Sequence, residues 1–540
     1  MPQSGEARVG NRASSATGTT FLIMIQLASR IFTFASNQLI LRSLSPVILG
    51  IAAQLELYQV SILYFSRESI RLATQRQPLT TLESPASSQD GKDSNKPSEQ
   101  SDTVSQDQQS VPLQSVINVS YLSLALGILS TFAFTVLYER LAPVQAIEIP
   151  FFQATVILTG LAALTELCVE PFFAVVQQNM WYEKRAAAEM PAAFLRSLVT
   201  CLLFLYASRV DRPIGALPFA LGHLSYSISL VGGYCWFMLK TASDYQFSFL
   251  PTRIRSRNSP NYLLGRFSRR LVSIAASVFF QSTVKHLLTQ GDSMMLAALS
   301  TLEDQGIYSL AANYGGLVAR IIFQPLEESS RNLLSTLLSS DDNRNRKHTQ
   351  IYAAKDYLVD ILRAYQFLSV LIFPLGPVMV PVGLRILGGR QWASPKVGDL
   401  LSLYCYYIPF LAFNGITEAF VSSTANAREI RTQAIWMGFF SACYALAAYL
   451  FLEVWSMGAY GLVLANIVNM AVRTLWSFSF IQTYLIQHGS SLSLNELSLR
   501  PITYVLGGIA TIISATQALS VSGQAVIPAI AFSGVYGLLL

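Results

Sequence analysis

Gln26, Arg30, Thr33 and Asn37 follow one another at intervals of four, three and four residues, which puts them on one face of a helix. The opposite face carries Ile23, Leu27, Ile31 and Phe34, and the run around them is apolar. A second stripe, Gln281, Lys285, Thr289 and Asp292, has nearly the same spacing. A charge facing lipid at mid-bilayer costs between about 3 and more than 10 kcal/mol. Each stripe must therefore face a wet cavity or a buried partner. For Arg30 the available acids are Glu56 and Glu166, in which case it only holds helices together. The other reading lines a cavity. A cavity with several cations suits an anion such as a diphosphate, because Arg offers a planar fork to phosphate oxygens and Lys a point charge. Amides such as Asn37 and Asn313 suit sugar hydroxyls.

Further charges fall inside apolar runs, among them Glu56, Glu166, Glu170, Arg196, Arg363, Glu418 and Arg473. Most of these read as salt-bridge partners. Arg320 stands apart: in NYGGLVARIIFQPLEES it follows Gly315 and Gly316 and precedes Pro325, a pattern that allows close approach or a movable helix. Arg67 lies at the end of the second apolar run and joins the candidate binding residues.

The elements that must carry these residues are membrane spans. The chain has 540 residues, of which 52% are hydrophobic and only 13% charged. Its mean hydropathy is +0.42. A soluble domain carries about twice that charged fraction. The apolar runs are apolar all round, so they read as helices and not barrel strands. We expect an all-α polytopic membrane protein with about fourteen spans: 19–41, 46–66, 116–138, 151–177, 187–207, 214–240, 267–290, 305–335, 357–384, 398–425, 432–454, 458–484, 501–519 and 523–540. The first reads as an uncleaved signal anchor behind a polar tail, 1–18.

Two segments break the pattern. Thr74–Ser115 is rich in Ser, Gln, Asp and Pro and should be a disordered cytosolic loop. Lys240–Arg270 holds seven basic residues against Asp244 alone. It reads as a basic cytosolic linker, centred on 241–266, that separates a bundle at 19–240 from one at 267–484, with two further helices in 485–540. The basic residues concentrate on one side of the spans, which places both termini in the cytosol. The Asn118-Val119-Ser120 sequon then lies on the cytosolic side, out of reach of glycosylation.

The halves look duplicated. Gly50-Ile51 and Gly306-Ile307 align at an offset of 256, and the Thr-Glu pairs at 165–166 and 417–418 at an offset of 252. Six spans per half would give parallel repeats related by an axis along the membrane normal, around a central cavity. The same offset carries Arg30 to His286, beside Lys285, so both halves place a basic residue in their first helix.

Other chemistry finds no footing. The five cysteines sit in apolar runs without CxxC spacing, and the four histidines form no metal motif. No Walker-type loop is present. Asp341-Asp342 is a poor basis for a metal-dependent glycosyltransferase. We expect no enzyme activity, no cofactor and no nucleic-acid partner.

The stretches SRIFTFASNQLILRSLSPVILGI, YFSRESIRLA, TELCVEPFF, QGIYSLAANYGGLVARIIFQPLEES, NGITEAF and GAYGLVLANIVNMAVRT resemble, in order, the Rft family of endoplasmic reticulum oligosaccharide translocation proteins. The resemblance covers nearly the whole chain, and GIYSLAANYGGLVARIIFQPLEES is its most specific part. It implies membership of the multidrug/oligosaccharidyl-lipid/polysaccharide exporter superfamily, with two six-helix bundles. It also implies a role in moving a dolichol-diphosphate-linked heptasaccharide, five mannoses on two N-acetylglucosamines, from the cytosolic to the lumenal leaflet for N-glycosylation. The family has no agreed catalytic residues to carry over. The candidate list therefore rests on charge: Arg30, Asn37, Arg67, Lys285, His286, Asn313 and Arg320 for substrate, with Glu56, Glu166 and Glu418 as ion-coupling or structural acids. The alternatives are an accessory factor of lipid-linked oligosaccharide assembly and a cation-coupled small-molecule antiporter.

Overall fold

The structure is a computed structural model, and it describes residues 44–75, 102–245, 248–254, 262–338, 344–387 and 394–520, with 36, 38–41, 392 and 536 besides. Helix dominates because a backbone in lipid must satisfy its own hydrogen bonds. Among the described residues, seven helices are long and apolar enough to cross a membrane, or nine when two bent pairs each count as one span. Every expected span from 46–66 to 501–519 falls on a helix or an interrupted helix. The spans at 19–41 and 523–540 lie almost wholly outside the described residues.

Two compact units divide the chain, one holding Gln54–Thr289 and the other Leu44–Ala53 with Gln290 onward. This differs from the expected boundary at 241–266. The first unit contains most of α1 (Pro46–Gln75), then α2 (Asp102–Leu141), α3 (Phe152–Leu167), α4 (Glu170–Gln178), α5 (Tyr182–Val210) and α6 (Leu217–Tyr245). α5 and α3 both pack on α6, and α2 packs on α3 and α4. α3 and α4 are one span broken at a 40° bend, with Pro171 at the start of the second piece. The break is where proline belongs, since its missing N–H costs nothing in a first turn. Leu113, Ile117, Phe173, Val176, Leu230, Tyr234 and Met238 form the core near that break.

One expectation needs correction here. The polar segment 74–115 is not wholly loop, because α2 begins at Asp102 and Leu113–Ser115 are buried. The basic linker also carries a short non-helical element. A two-residue antiparallel pair, β1 (Tyr262–Leu263) and β2 (Phe267–Ser268), closes a hairpin just before α7 (Arg269–Leu299). Buried side chains of α2 hold the strand before it. Asn118 Nδ2 donates to the carbonyls of Thr252 and Arg266, both at 2.8 Å, and its Oδ1 accepts from the Thr252 amide. Gln114 reaches the Leu250 carbonyl, and the Tyr121 hydroxyl donates to the Phe249 carbonyl at 2.7 Å. A segment that is polar along its backbone is held where buried amides supply the missing partners.

The second unit continues from α7 into α8 (Leu302–Val318), a π turn (Ala319–Phe323) and α9 (Gln324–Leu338). Then come α10 (Arg344–Leu387), α11 (Pro395–Thr424), α12 (Ala427–Tyr449), a second π turn (Leu450–Val454), α13 (Ala459–Gln487) and α14 (Pro501–Ser520). α11 is central and packs against α8, α9, α10 and α13. Asn426 begins α12 with a capping box closed by Glu429.

Candidate functional site

The strongest polar constellation lies in the first unit. Arg67 and Arg71 stand one turn apart on α1, and Glu166 and Glu170 face them from either side of the α3–α4 break. Arg67 Nη1 lies 2.6 Å from Glu166 and 3.6 Å from Glu170. Arg71 grips Glu170 with two hydrogen bonds, at 2.8 and 2.6 Å, and its guanidinium lies 3.8 Å from the centroid of the Phe173 ring. Two cations therefore balance two anions. Glu170 is 2% exposed, so the pairing is what makes its charge tolerable. The sequence marks Glu170 as an in-membrane charge that reads as a salt-bridge partner, without naming what it meets. The signal is present in the matched four-residue spacing of opposite charges in SRESIR and ELCVE. Glu166 is thus held by Arg67, while Arg30, its other suggested partner, lies outside the described residues.

Lys285 and His286 are neighbours with opposite surroundings. Lys285 is exposed on α7, and among the described residues no carboxylate lies within ion-pair distance of it. His286 is 1% exposed. Its Nε2 meets the Ser61 hydroxyl at 3.0 Å, its ring stacks on Tyr64, and Phe65 meets it edge-on. Adjacent helix positions point about 100° apart, so a repeat-related basic pair resolves into one surface cation and one core imidazole.

Arg30 and Asn37 lie outside the described residues, as does the side chain of Arg320. The backbone of Arg320 sits in the π turn Ala319–Phe323, a helix irregularity that recurs at functional sites. Gly315, one turn before, allows the close approach expected of it: a Cβ there would run into the Tyr404 ring of α11. Asn313 and Glu56 are exposed.

In the second unit, Glu418 accepts from Arg473 at 2.7 Å and from Asn414 at 3.3 Å. The repeat-related glutamates Glu166 and Glu418 are therefore both bound to arginines. Their partners come from unrelated helices, α1 and α13. The duplication shows more plainly at Gly50 and Gly306. A Cβ at Gly50 would collide with the Leu302 carbonyl, and one at Gly306 with the Pro46 carbonyl. Nearby, Tyr308, Tyr404 and Tyr407 stack edge to face, and Asn466 donates to the Tyr308 hydroxyl at 2.9 Å.

Chemically, the charges of Arg67, Arg71, Glu166, Glu170, Glu418 and Arg473 are spent on one another. No group of three or more His, Cys, Asp or Glu able to hold a metal occurs among the described residues. Lys285 is the candidate cation whose described side chain stays available to a ligand.

The family model described as Rft protein matches residues 14–540. The Man(5)GlcNAc(2)-PP-dolichol translocation protein of Saccharomyces cerevisiae is 34% identical over 490 residues, covering 87% of this chain and 83% of that protein. The protein of that name from Mus musculus is 28% identical over 484 residues, covering 86% and 81%. Among solved structures, a lipid II flippase in an inward closed conformation aligns with a TM-score of 0.57 at 13% identity, over 96% of this chain and 97% of that one. An inward-facing multidrug resistance transporter of the MATE family aligns with a TM-score of 0.53 at 13% identity, over 84% and 94%. These last two show a shared transporter fold and nothing further.

Proposed function

The chain belongs to the Rft protein family, and from that premise we propose that it translocates Man(5)GlcNAc(2)-PP-dolichol across the endoplasmic reticulum membrane. The observation that carries this reading is the 34% identity to a translocation protein of that substrate over 87% of the chain. The fold supports it, because a transporter architecture gives a headgroup a polar route while a lipid tail stays in the bilayer. Fourteen spans in two six-helix bundles with two added helices, and both termini in the cytosol, complete the reading. The basic linker, 241–266, then lies on the cytosolic side.

Lys285 is the described cation best placed to meet the diphosphate, with Arg30 and Arg320 as its partners from the sequence pattern. Arg67 contributes differently, since its charge is spent on Glu166 and Glu170. The protein does no covalent chemistry in this scheme. It carries no nucleotide-binding loop, so movement runs down a gradient or couples to another flux. Glu166 and Glu418 serve poorly as ion-coupling acids because Arg67 and Arg473 hold them, which weighs against the antiporter reading.

The test is reconstitution of the full chain into liposomes that contain the labelled glycolipid. Leaflet exchange faster than in protein-free liposomes, and slowed at least fivefold by Lys285→Ala, is the expected result. Exchange no faster than in empty liposomes would reduce the protein to an accessory of glycolipid assembly.

A further inference from the structure

A cavity of about 290 Å³ opens in the first unit beside the last turn of α1. Arg71, Thr74, Gln75, Glu170, Gln177 and Gln178 supply its polar lining. We propose that this cavity is a subsite for a neutral sugar ring of the glycolipid headgroup, an inference that rests on the translocation reading above.

Charge decides the class of ligand. The cavity floor is the Arg71–Glu170 pair, and Arg67 also reaches Glu170 and Glu166. Two guanidiniums meet two carboxylates, so nothing remains to attract a diphosphate. What remains is a dense mixture of donors and acceptors. Each glutamine offers an NH₂ and a carbonyl. A sugar ring combines hydroxyls that donate and accept with an apolar C–H face, so it matches a wall that sets these groups beside Ile70, Phe173, Ala174 and Met180.

The lining is also held in place before any ligand arrives. Arg71 is fixed between Glu170 and the Phe173 ring. Gln177 accepts from Arg185 at 3.4 Å, and Gln178 reaches the Thr74 carbonyl at 3.4 Å. Preorganised side chains lose little entropy on binding. The volume fits a small molecule and not a whole glycan. Its position suits a headgroup: Ser120 lines the cavity and lies two residues beyond Asn118, which fastens the basic segment. The cavity thus sits at the end of the bundle where that segment lies.

The experiment uses the full chain in lipid nanodiscs and the free glycan Man(5)GlcNAc(2), observed by saturation-transfer NMR. Transfer to mannose protons is expected with the wild type, falling at least threefold in the double variant Gln75→Ala/Gln177→Ala. Inorganic diphosphate should not compete. No transfer with the wild type, equal transfer with a folded double variant, or displacement by diphosphate would each overturn the subsite. Leaflet exchange is measured separately. Glycan binding that depends on these glutamines without lipid exchange supports the subsite while removing translocation, and exchange without glycan binding does the reverse.

Discussion

Gly50 and Gly306 pass each other backbone to backbone, each leaving room for a carbonyl group near the other: Leu302 oxygen beside Gly50, Pro46 oxygen beside Gly306. They are the two glycines that align between the halves of the sequence, and both are buried. Ile51 and Ile307, the residues that follow them, are buried as well. A duplicated motif has become a helix crossing in which each copy meets the other.

That crossing has no space for a methyl group. Gly50→Ala and Gly306→Ala should each destabilise the protein by about 1–3 kcal/mol, the ordinary cost of overpacking. A larger Gly306→Leu change should abolish the folded peak in size-exclusion chromatography. Melting temperatures in detergent would decide the point: an unshifted Gly306→Ala would mean the helices separate freely.

The α1–α4 ion pairs make a second prediction. Removing one partner of a buried pair leaves a charge uncompensated, at about 3–5 kcal/mol. Arg67 is 22% exposed, so Arg67→Ala should cost less than that, and Glu170→Ala should cost more than Arg67→Ala because the Glu170 side chain is only 3% exposed. A double-mutant cycle of Arg67→Ala and Glu166→Ala on thermal stability would show coupling above about 0.5 kcal/mol. Additive losses would show that the pair contributes nothing.

Lys285 and His286 should separate cleanly. Lys285→Ala should leave the melting temperature within about 2 °C, consistent with surface substitutions near zero cost, while slowing glycolipid exchange. His286→Ala should instead lower stability, since it removes a ring stacked on Tyr64 and a partner of Ser61. The same two measurements on both variants check this, and equal loss of stability would refute the division.

Asn118 carries a glycosylation sequon and is 0% exposed, with its amide spent on backbone groups of Thr252 and Arg266. Glycosidase treatment should therefore leave the mass of the expressed protein unchanged at this site. Asn118→Ala should free the hairpin and hasten trypsin cleavage at Arg253 and Arg266 severalfold. An unchanged cleavage rate would mean that other contacts hold the segment.

Some of this was legible from residues alone, because lipid imposes rules that act locally. A run such as Pro46–Gln75 must be helical wherever it packs, since no water is present to satisfy its backbone. The spacing of Gly50 and Gly306 and of the two Thr-Glu pairs announced a duplication, and the most specific stretch, around GIYSLAANYGGLVARIIFQ, placed the family. The sequence also placed Arg67 at the end of the second apolar run, but could not say what that helix meets. The partners Glu166 and Glu170 lie about a hundred residues away, brought there by the bend at α3–α4 and by packing between helices. The same limit applies to Lys285 and His286, which sequence treats as one basic site and packing divides into a surface charge and a core ring. It applies to Asn118 too, which sequence reads only as an unused sequon and the fold makes a buried clamp. Periodicity tells which way a side chain leaves its own helix, and only the neighbours brought alongside decide whether it finds lipid, water or an opposite charge.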